Sequence, residues 1–295
     1  MRPVLKFFYL PLLLPSLLAA QTGSPCSHCS LDLPVSGYGI GFGNSARHAG
    51  IRFNWSDECL EEIDGLNFTV WVPGERMTGT INGIAFGLGA VGGEEINGVA
   101  FGLGGVFAGH NLNGVSIGGF AVVSSGDAAG VTFSGMGAVV DGSLTGLNFG
   151  GLAVVSGGRV KFITLAGLAV VGIEGVDGLT FAGGAIVSKE DITGVNITIG
   201  AIQSGKRISG LAFAGYRTKA DCVEGVDLNV VTTQVQCARG IITGIYNRVY
   251  DSQRGLSIGI FNHADNLYGV QIGILNYAEN NPAGLKILPL LNAHF

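Results

Sequence analysis

The chain has 295 residues, of which 47% are apolar and only 13% charged, with 51 glycines and a formal charge of −5. Its few Lys and Arg are scattered, which excludes a nucleic-acid binder that would need clustered cations to displace phosphate counterions. The apolar content excludes a disordered chain, and the lack of a Gly-X-Y period excludes collagen.

Residues 1–20 read as a secretory signal. Arg2 and Lys6 supply the positive start, residues 10–18 a short apolar stretch, and Ala19-Ala20 a cleavage site before Gln21. The apolar run is too short to cross a bilayer. Without Arg2 and Lys6 the charge becomes −7 (−5 − 2), and the mature chain is expected outside the cytoplasm. Residues 21–82 read as a lead and a set of irregular capping strands at 38–42, 51–55 and 66–72. Between these strands, residues 56–64, with Asp57, Glu58, Glu61 and Glu62, predict one exposed helical turn.

Residues 83–295 form the repeat domain. A glycine returns at Gly83, Gly98, Gly114, Gly130 and Gly146, then from Gly178 through Gly194, Gly210, Gly225, Gly240, Gly255 and Gly269 to Gly284, with Phe162 in its place once. Counted from that glycine, positions 2 and 4 are large and apolar, and position 3 is small or polar. Positions 5 and 6 are small, 7 to 10 are apolar again, and 11 to 14 carry turn formers and charge. Period-two alternation with β-branched and aromatic residues predicts strands, and the glycines predict turns. A fixed period means one unit stacked many times, and each unit is too small to fold without its neighbours.

Two architectures fit such a unit: a β-solenoid of 14–16-residue coils and an antiparallel outer-membrane β-barrel. The barrel is supported by export, by the terminal Phe295 and by a weakly apolar ten-residue face. The solenoid is supported by turns of uniform length, by odd positions too small and uncharged for a water-filled lumen, and above all by Cys222 and Cys237. Both cysteines fall at position 13 of adjacent units, where stacked coils would bring their Cα atoms within the ~4.4–6.8 Å that a disulfide needs. Asn247, Asn262 and Asn276 share position 8 and predict an asparagine ladder. The cysteine register favours the solenoid.

No catalytic constellation emerges, and no enzyme, cofactor or metal site is expected. Ser116 and Ser257 sit in Gly-x-Ser-x-Gly phrases, but both occupy position 3 of a strand repeat where a nucleophile elbow needs a strand-to-helix turn. Cys26-Ser27-His28-Cys29 lacks the second pair of a zinc site; Cys26, Cys29 and Cys59 are read as disulfide candidates of an exported chain. His263 and Asp265 read as a solvated turn.

The closing phrases Gly255-Leu256-Ser257-Ile258-Gly259-Ile260-Phe261-Asn262 and Gly269-Val270-Gln271-Ile272-Gly273-Ile274-Leu275-Asn276, with the ending Leu288-Pro289-Leu290-Leu291-Asn292-Ala293-His294-Phe295, resemble the exported surface-repeat proteins of Gram-negative-type bacteria. The resemblance implies an envelope location, at the cell surface, the outer membrane or the periplasm. It implies no activity and transfers no functional residue. The expectation is therefore a non-enzymatic envelope protein with a structural or binding role, the alternative being a barrel pore or scaffold. The position-3 row of Ser116, Thr132, Asn148, Thr164, Thr180 and Asn196 is the expected binding face, toward an envelope or extracellular partner. Membrane association and homo-oligomerisation stay open.

Overall fold

The computed structural model describes residues 29–35, 38–74 and 77–295, so the secretory signal expected at 1–20 lies outside the described residues. These form a β-solenoid of about 12 turns with coils about 16 residues apart. One coil shows the plan. A long strand, Leu112–Gly118, turns at Gly119-Phe120 into a short strand, Ala121–Ser124, which turns again into the next long strand, Ala128–Ser134. Long strands pair only with long strands and short with short, in parallel and without slip: Gly114 faces Gly130, Gly130 faces Gly146, and Val122 faces Ala138. Each coil is thus a flattened loop with two β faces and two turn edges. No barrel is formed, because consecutive strands of like kind run the same way where a barrel meander would alternate them.

The register carries the predicted contacts. Cys222 lies opposite Cys237 and is bonded to it across a Cα separation of 4.6 Å. Asn247 donates to Asn262 and Asn262 to Asn276, each at 2.8 Å, as a ladder through the interior.

The stack begins earlier than the repeat spacing indicates. Strands Tyr38–Gly43, Arg47–Asn54 and Glu62–Thr69 are coils in their own right, and Gly50 faces Gly65, which faces Gly83. They continue the glycine column and are not an irregular cap. The two ends are closed by reversed strands. Ser30–Val35 runs antiparallel to Tyr38–Gly43, and Ile287–His294 antiparallel to the last coil at Gly269 to Tyr277, so neither end offers the parallel ladder on which another coil could add. The expected helical turn at 56–64 is not formed. Asp57 is buried, paired with the equally buried Arg52 at 2.8 Å, and accepts further hydrogen bonds from Asn54, Asn67 and Thr69.

Phe162 breaks the glycine column and shows what the column requires. Its φ is +77°, against +126° for Gly146 below and +114° for Gly178 above. The backbone has moved toward the left-handed region, the nearest one an L-residue tolerates. Such a conformation costs on the order of 1–3 kcal/mol, while the side chain is 66% exposed and has little packing to lose. Phe162→Gly is therefore expected to stabilise the protein by about 1 kcal/mol. A lower melting temperature for the variant would contradict this.

Candidate functional site

The expected binding face is turned inward. Ser116, Thr132, Asn148, Thr164, Thr180 and Asn196 are all buried, Asn148 and Asn196 completely. The cause is the narrowness of a two-strand coil. Odd positions of the long strand face the opposite sheet across a gap that holds one large side chain, such as Leu112 or Val122, only at positions 15 and 9. Positions 3 and 5 must then be small. The polar ones are accommodated by short contacts, as where Asn148 donates to Thr164 Oγ1 at 3.3 Å and to Gly146 O at 3.2 Å. The row is interior structure and is withdrawn as a binding face.

The same alternation puts the large apolar residues outside. At even positions of the long strands, Ile84, Val99, Phe133, Leu147 and Ile163 are exposed, and rings stack from coil to coil: Phe42 on Phe53 at 5.5 Å, Phe53 on Phe68 at 5.2 Å, Phe86 on Phe101 at 5.1 Å. The turn at positions 6 and 7 projects furthest. Trp55, Trp71, Leu88, Leu103, Phe120, Met136, Leu152 and Leu168 follow one another along it, all exposed, with Phe120 at 62%. The outward positions of the short strands are small or aliphatic from Ala121 and Val123 to Ala185 and Val187. Between residues 80 and 215 every Asp, Glu, Lys and Arg falls at positions 12 to 16, at or beside the opposite turn. That edge is knit by inter-coil ion pairs such as Arg159–Asp177 at 2.8 Å. In cross-section the coil is a wedge: a charged back, two apolar flanks and an apolar edge.

The apolar edge has its main-chain N–H groups paired from coil to coil. Phe120 N donates to Gly104 O at 3.0 Å, Met136 N to Phe120 O at 2.8 Å, Leu152 N to Met136 O at 2.6 Å and Leu168 N to Leu152 O at 2.7 Å. A groove of about 600 Å³ runs beside the edge, walled by Phe133, Phe149, Leu165, Phe181 and Ile197 over a floor that includes Gly135, Gly151, Gly167 and Gly183.

Comparison with known protein families, with curated proteins and with solved structures found no match for this chain.

Beyond Gly210 the character changes. The coils shorten to 15 and 14 residues, the outward short-strand positions become Arg217, Lys219 and Gln234, and the interior gains amides. Asp227 lies there fully buried at position 3, where it accepts hydrogen bonds from Thr218 Oγ1 at 2.9 Å and Thr233 Oγ1 at 2.8 Å. Burial pushes its carboxyl up to about 6, against which the two hydroxyls act. A raised carboxyl is a cost that appears as pH rises. Well below 3.8 the group is protonated folded or unfolded and nothing is lost; the cost grows from about there and is complete above about 6, where the fold must hold a buried anion. The gap from 3.8 to about 6 corresponds to about 3 kcal/mol. Asp227→Asn keeps one oxygen acceptor, for one of the two threonines, and an NH2 donor where the protonated acid has its O–H, and it removes the charge. It is expected to match the parent well below pH 3.8 and to exceed it by about 3 kcal/mol at pH 8, read as urea midpoints across that range; equal midpoints at pH 8 would refute the assignment.

The remaining candidates stay structural in their geometry. Ser116 and Ser257 are buried within strands, and Ser257 donates to Asn262 Oδ1 at 2.7 Å. His263 lies 3.6 Å from Asp265 and stacks on Tyr277 at 4.3 Å; burial, then the nearby Arg248, holds its imidazole below the usual range. Cys29 is an exposed free thiol, so the local bridge with Cys26 is not made. Cys59 is disulfide-bonded, and Cys26 lies outside the described residues. Among the described residues no three His, Cys, Asp or Glu side chains are grouped to hold a metal ion. Alternation alone does not say that the large apolar positions 2 and 4, and not position 3, face outward. The signal that could have found the wedge is the confinement of charge to positions 12 to 16.

Proposed function

We propose that this chain is an exported, non-enzymatic repeat protein of the cell envelope that binds through its apolar edge and the two flanks beside it. The reading is carried by the unbroken apolar row from Trp55 to Leu168. Soluble monomers rarely expose contiguous apolar patches beyond a few hundred Å², and here the row continues through eight successive coils, from Trp55 to Leu168. An export segment at residues 1–20 and the Cys222–Cys237 bridge suit an oxidising compartment. A rigid rod of stacked coils suits a scaffold that presents one surface along its length.

Photo-crosslinking in intact cells tests this. A photoreactive residue placed at Leu152 on the edge should yield adducts with envelope components, and one placed at Asp141 on the charged back should not. Equal labelling from both positions, or adducts confined to cytoplasmic molecules, would overturn the reading.

A further inference from the structure

We infer that the wedge between residues 80 and 215 inserts edge-first into one leaflet of a lipid bilayer, so that the occupant of the apolar surface is the acyl region of the membrane. The inference rests on the binding role proposed above and names its partner.

Shape argues for lipid over a protein partner. A docking protein, or a second copy of this chain, covers one face. Here two flanks and the edge between them are apolar together over the coils from Gly114 to Gly178. That is four inter-coil steps, or about 19 Å at ~4.8 Å per step. Only a medium that wraps the edge from both sides contacts all three surfaces. Two convex edges meeting each other would touch along a line and leave the flanks wet.

Depth agrees. From position 7 at the edge to position 12, where charge begins, is five residues, about 16 Å at ~3.3 Å per residue. Half of a ~30 Å hydrocarbon core is about 15 Å. With the edge near the bilayer centre, Asp141, Glu174 and Lys189 would stand at headgroup level.

Main-chain chemistry agrees for the donors. Hydrocarbon disfavours unpaired main chain, and the edge turns pair all of their N–H groups from coil to coil, as from Leu168 N to Leu152 O, leaving among the described residues only position-6 carbonyls such as those of Gly135 and Gly151 without a main-chain donor. No anionic lipid is needed: the chain is itself net negative, and its charges lie on the side away from the acyl chains.

Flotation of the mature chain with zwitterionic phosphatidylcholine vesicles tests this. The protein is expected to float with the vesicles in 0.15 M and 1 M salt alike. The emission of Trp55 and Trp71, the two tryptophans of the chain, which continue the edge row into the coils next to the wedge, should shift to the blue on mixing. The triple variant Phe120→Asp, Leu152→Asp, Leu168→Asp should lower the bound fraction by roughly tenfold or more, since each carboxylate would be placed among acyl chains. These three positions are exposed, and a β-type circular dichroism spectrum would verify its fold; should it not fold, Leu168→Asp alone serves. Should the parent stay with the aqueous fraction while sedimenting as an oligomer that the variant breaks, a second copy of the chain covers the edge, and lipid insertion fails while the binding role survives. Should the parent neither float nor self-associate, and Leu152 yield no envelope adducts, both readings fail.

Discussion

Gly130→Ala is expected to destabilise the middle of the stack by about 4 kcal/mol or more, a size reserved for a few mechanisms of which forced backbone strain is one. Two effects add at this position. Gly130 has φ of +119°, where L-residues are rarely found, and a Cβ there would stand 2.0 Å from Gly114 O and 2.9 Å from Gly114 C in the coil below. The obstacle is main chain, since all three of the nearest atoms belong to the backbone of Gly114. No rotamer change relieves it. The coil must instead lift away from its neighbour and lose the hydrogen bonds that join them. Because each coil touches only adjacent coils, the damage should be local. Amide hydrogen exchange should lose protection first at residues 112–150 and keep it near Asn262. A melting temperature within about 1 °C of the parent, with protection unchanged at those residues, would show that the column is not the strict requirement described here.

What could be read from the sequence divides along one physical line. Relations that depend on the period alone were legible: the stacking of Gly114 on Gly98, the bridge from Cys222 to Cys237, and the amide ladder through Asn247, Asn262 and Asn276. Each needs only that equivalent positions lie one coil apart, and the distance limits of a disulfide or a hydrogen bond then decide the architecture. Relations that depend on which side of a strand faces inward were not legible. Alternation divides a strand into two sets of side chains without naming the inner one. The usual rule, apolar inside, assigns Val131 and Phe133 to the core and Thr132 to the surface. The gap between the two sheets of one coil reverses that assignment, because small size outranks polarity where only a methyl, hydroxyl or amide fits. The coils at Gly50 and Gly65 were hidden for a different reason. Eighteen residues separate Gly65 from Gly83, and that insertion masks the period. Asp57 looked solvated among acidic neighbours, and nothing in its local spacing announces that Arg52, five residues earlier, is buried against it.

The inverted alternation also accounts for the contrast between the two ends of the rod. From Gly83 to Gly210 the interior is built of Gly, Ser, Thr and aliphatic side chains with Asn148 and Asn196 among them, and large apolar groups are displaced to the outside. Beyond Gly210 the shorter coils enclose Asp227, Asn247, Gln253, Asn262, Gln271 and Asn276, and the outer short-strand positions turn polar. One sequence period thus supports two interiors and two kinds of short-strand face, while the long strands stay apolar outside in both, as at Phe133 and at Ile258 and Ile272. A small interior has the physical consequence that chemistry is exported to the surface. This is why a binding role rests on the outside rows and not on any pocket within.

Asn262→Leu is expected to cost about 3–5 kcal/mol, although the new side chain is similar in size. Asn262 is buried and takes part in four hydrogen bonds. Its Nδ2 donates to Asn276 Oδ1 at 2.8 Å and to Ile272 O at 3.0 Å, and its Oδ1 accepts from Asn247 Nδ2 at 2.8 Å and from Ser257 Oγ at 2.7 Å. A leucine leaves the Ser257 hydroxyl and the Asn276 amide oxygen without these partners in an interior that water does not reach. Each orphaned group costs about 1–3 kcal/mol. The ladder runs one way, each amide donating toward the C-terminus, and Asn276 finally donates to Gly273 O and Leu288 O, the latter in the closing strand. A break at Asn262 therefore also loosens the end cap. The asymmetry between breaking a network and removing it supplies the discriminating experiment. Replacing Asn247, Asn262 and Asn276 together by leucine takes away orphans as well as bonds, so the triple variant should cost far less than three times the single one. Urea midpoints for the two variants, with exchange at residues 245–280 as the local readout, would measure this. A triple variant at or beyond three times the single loss would mean that the amides act independently, and that the ladder is a row of contacts and not a network.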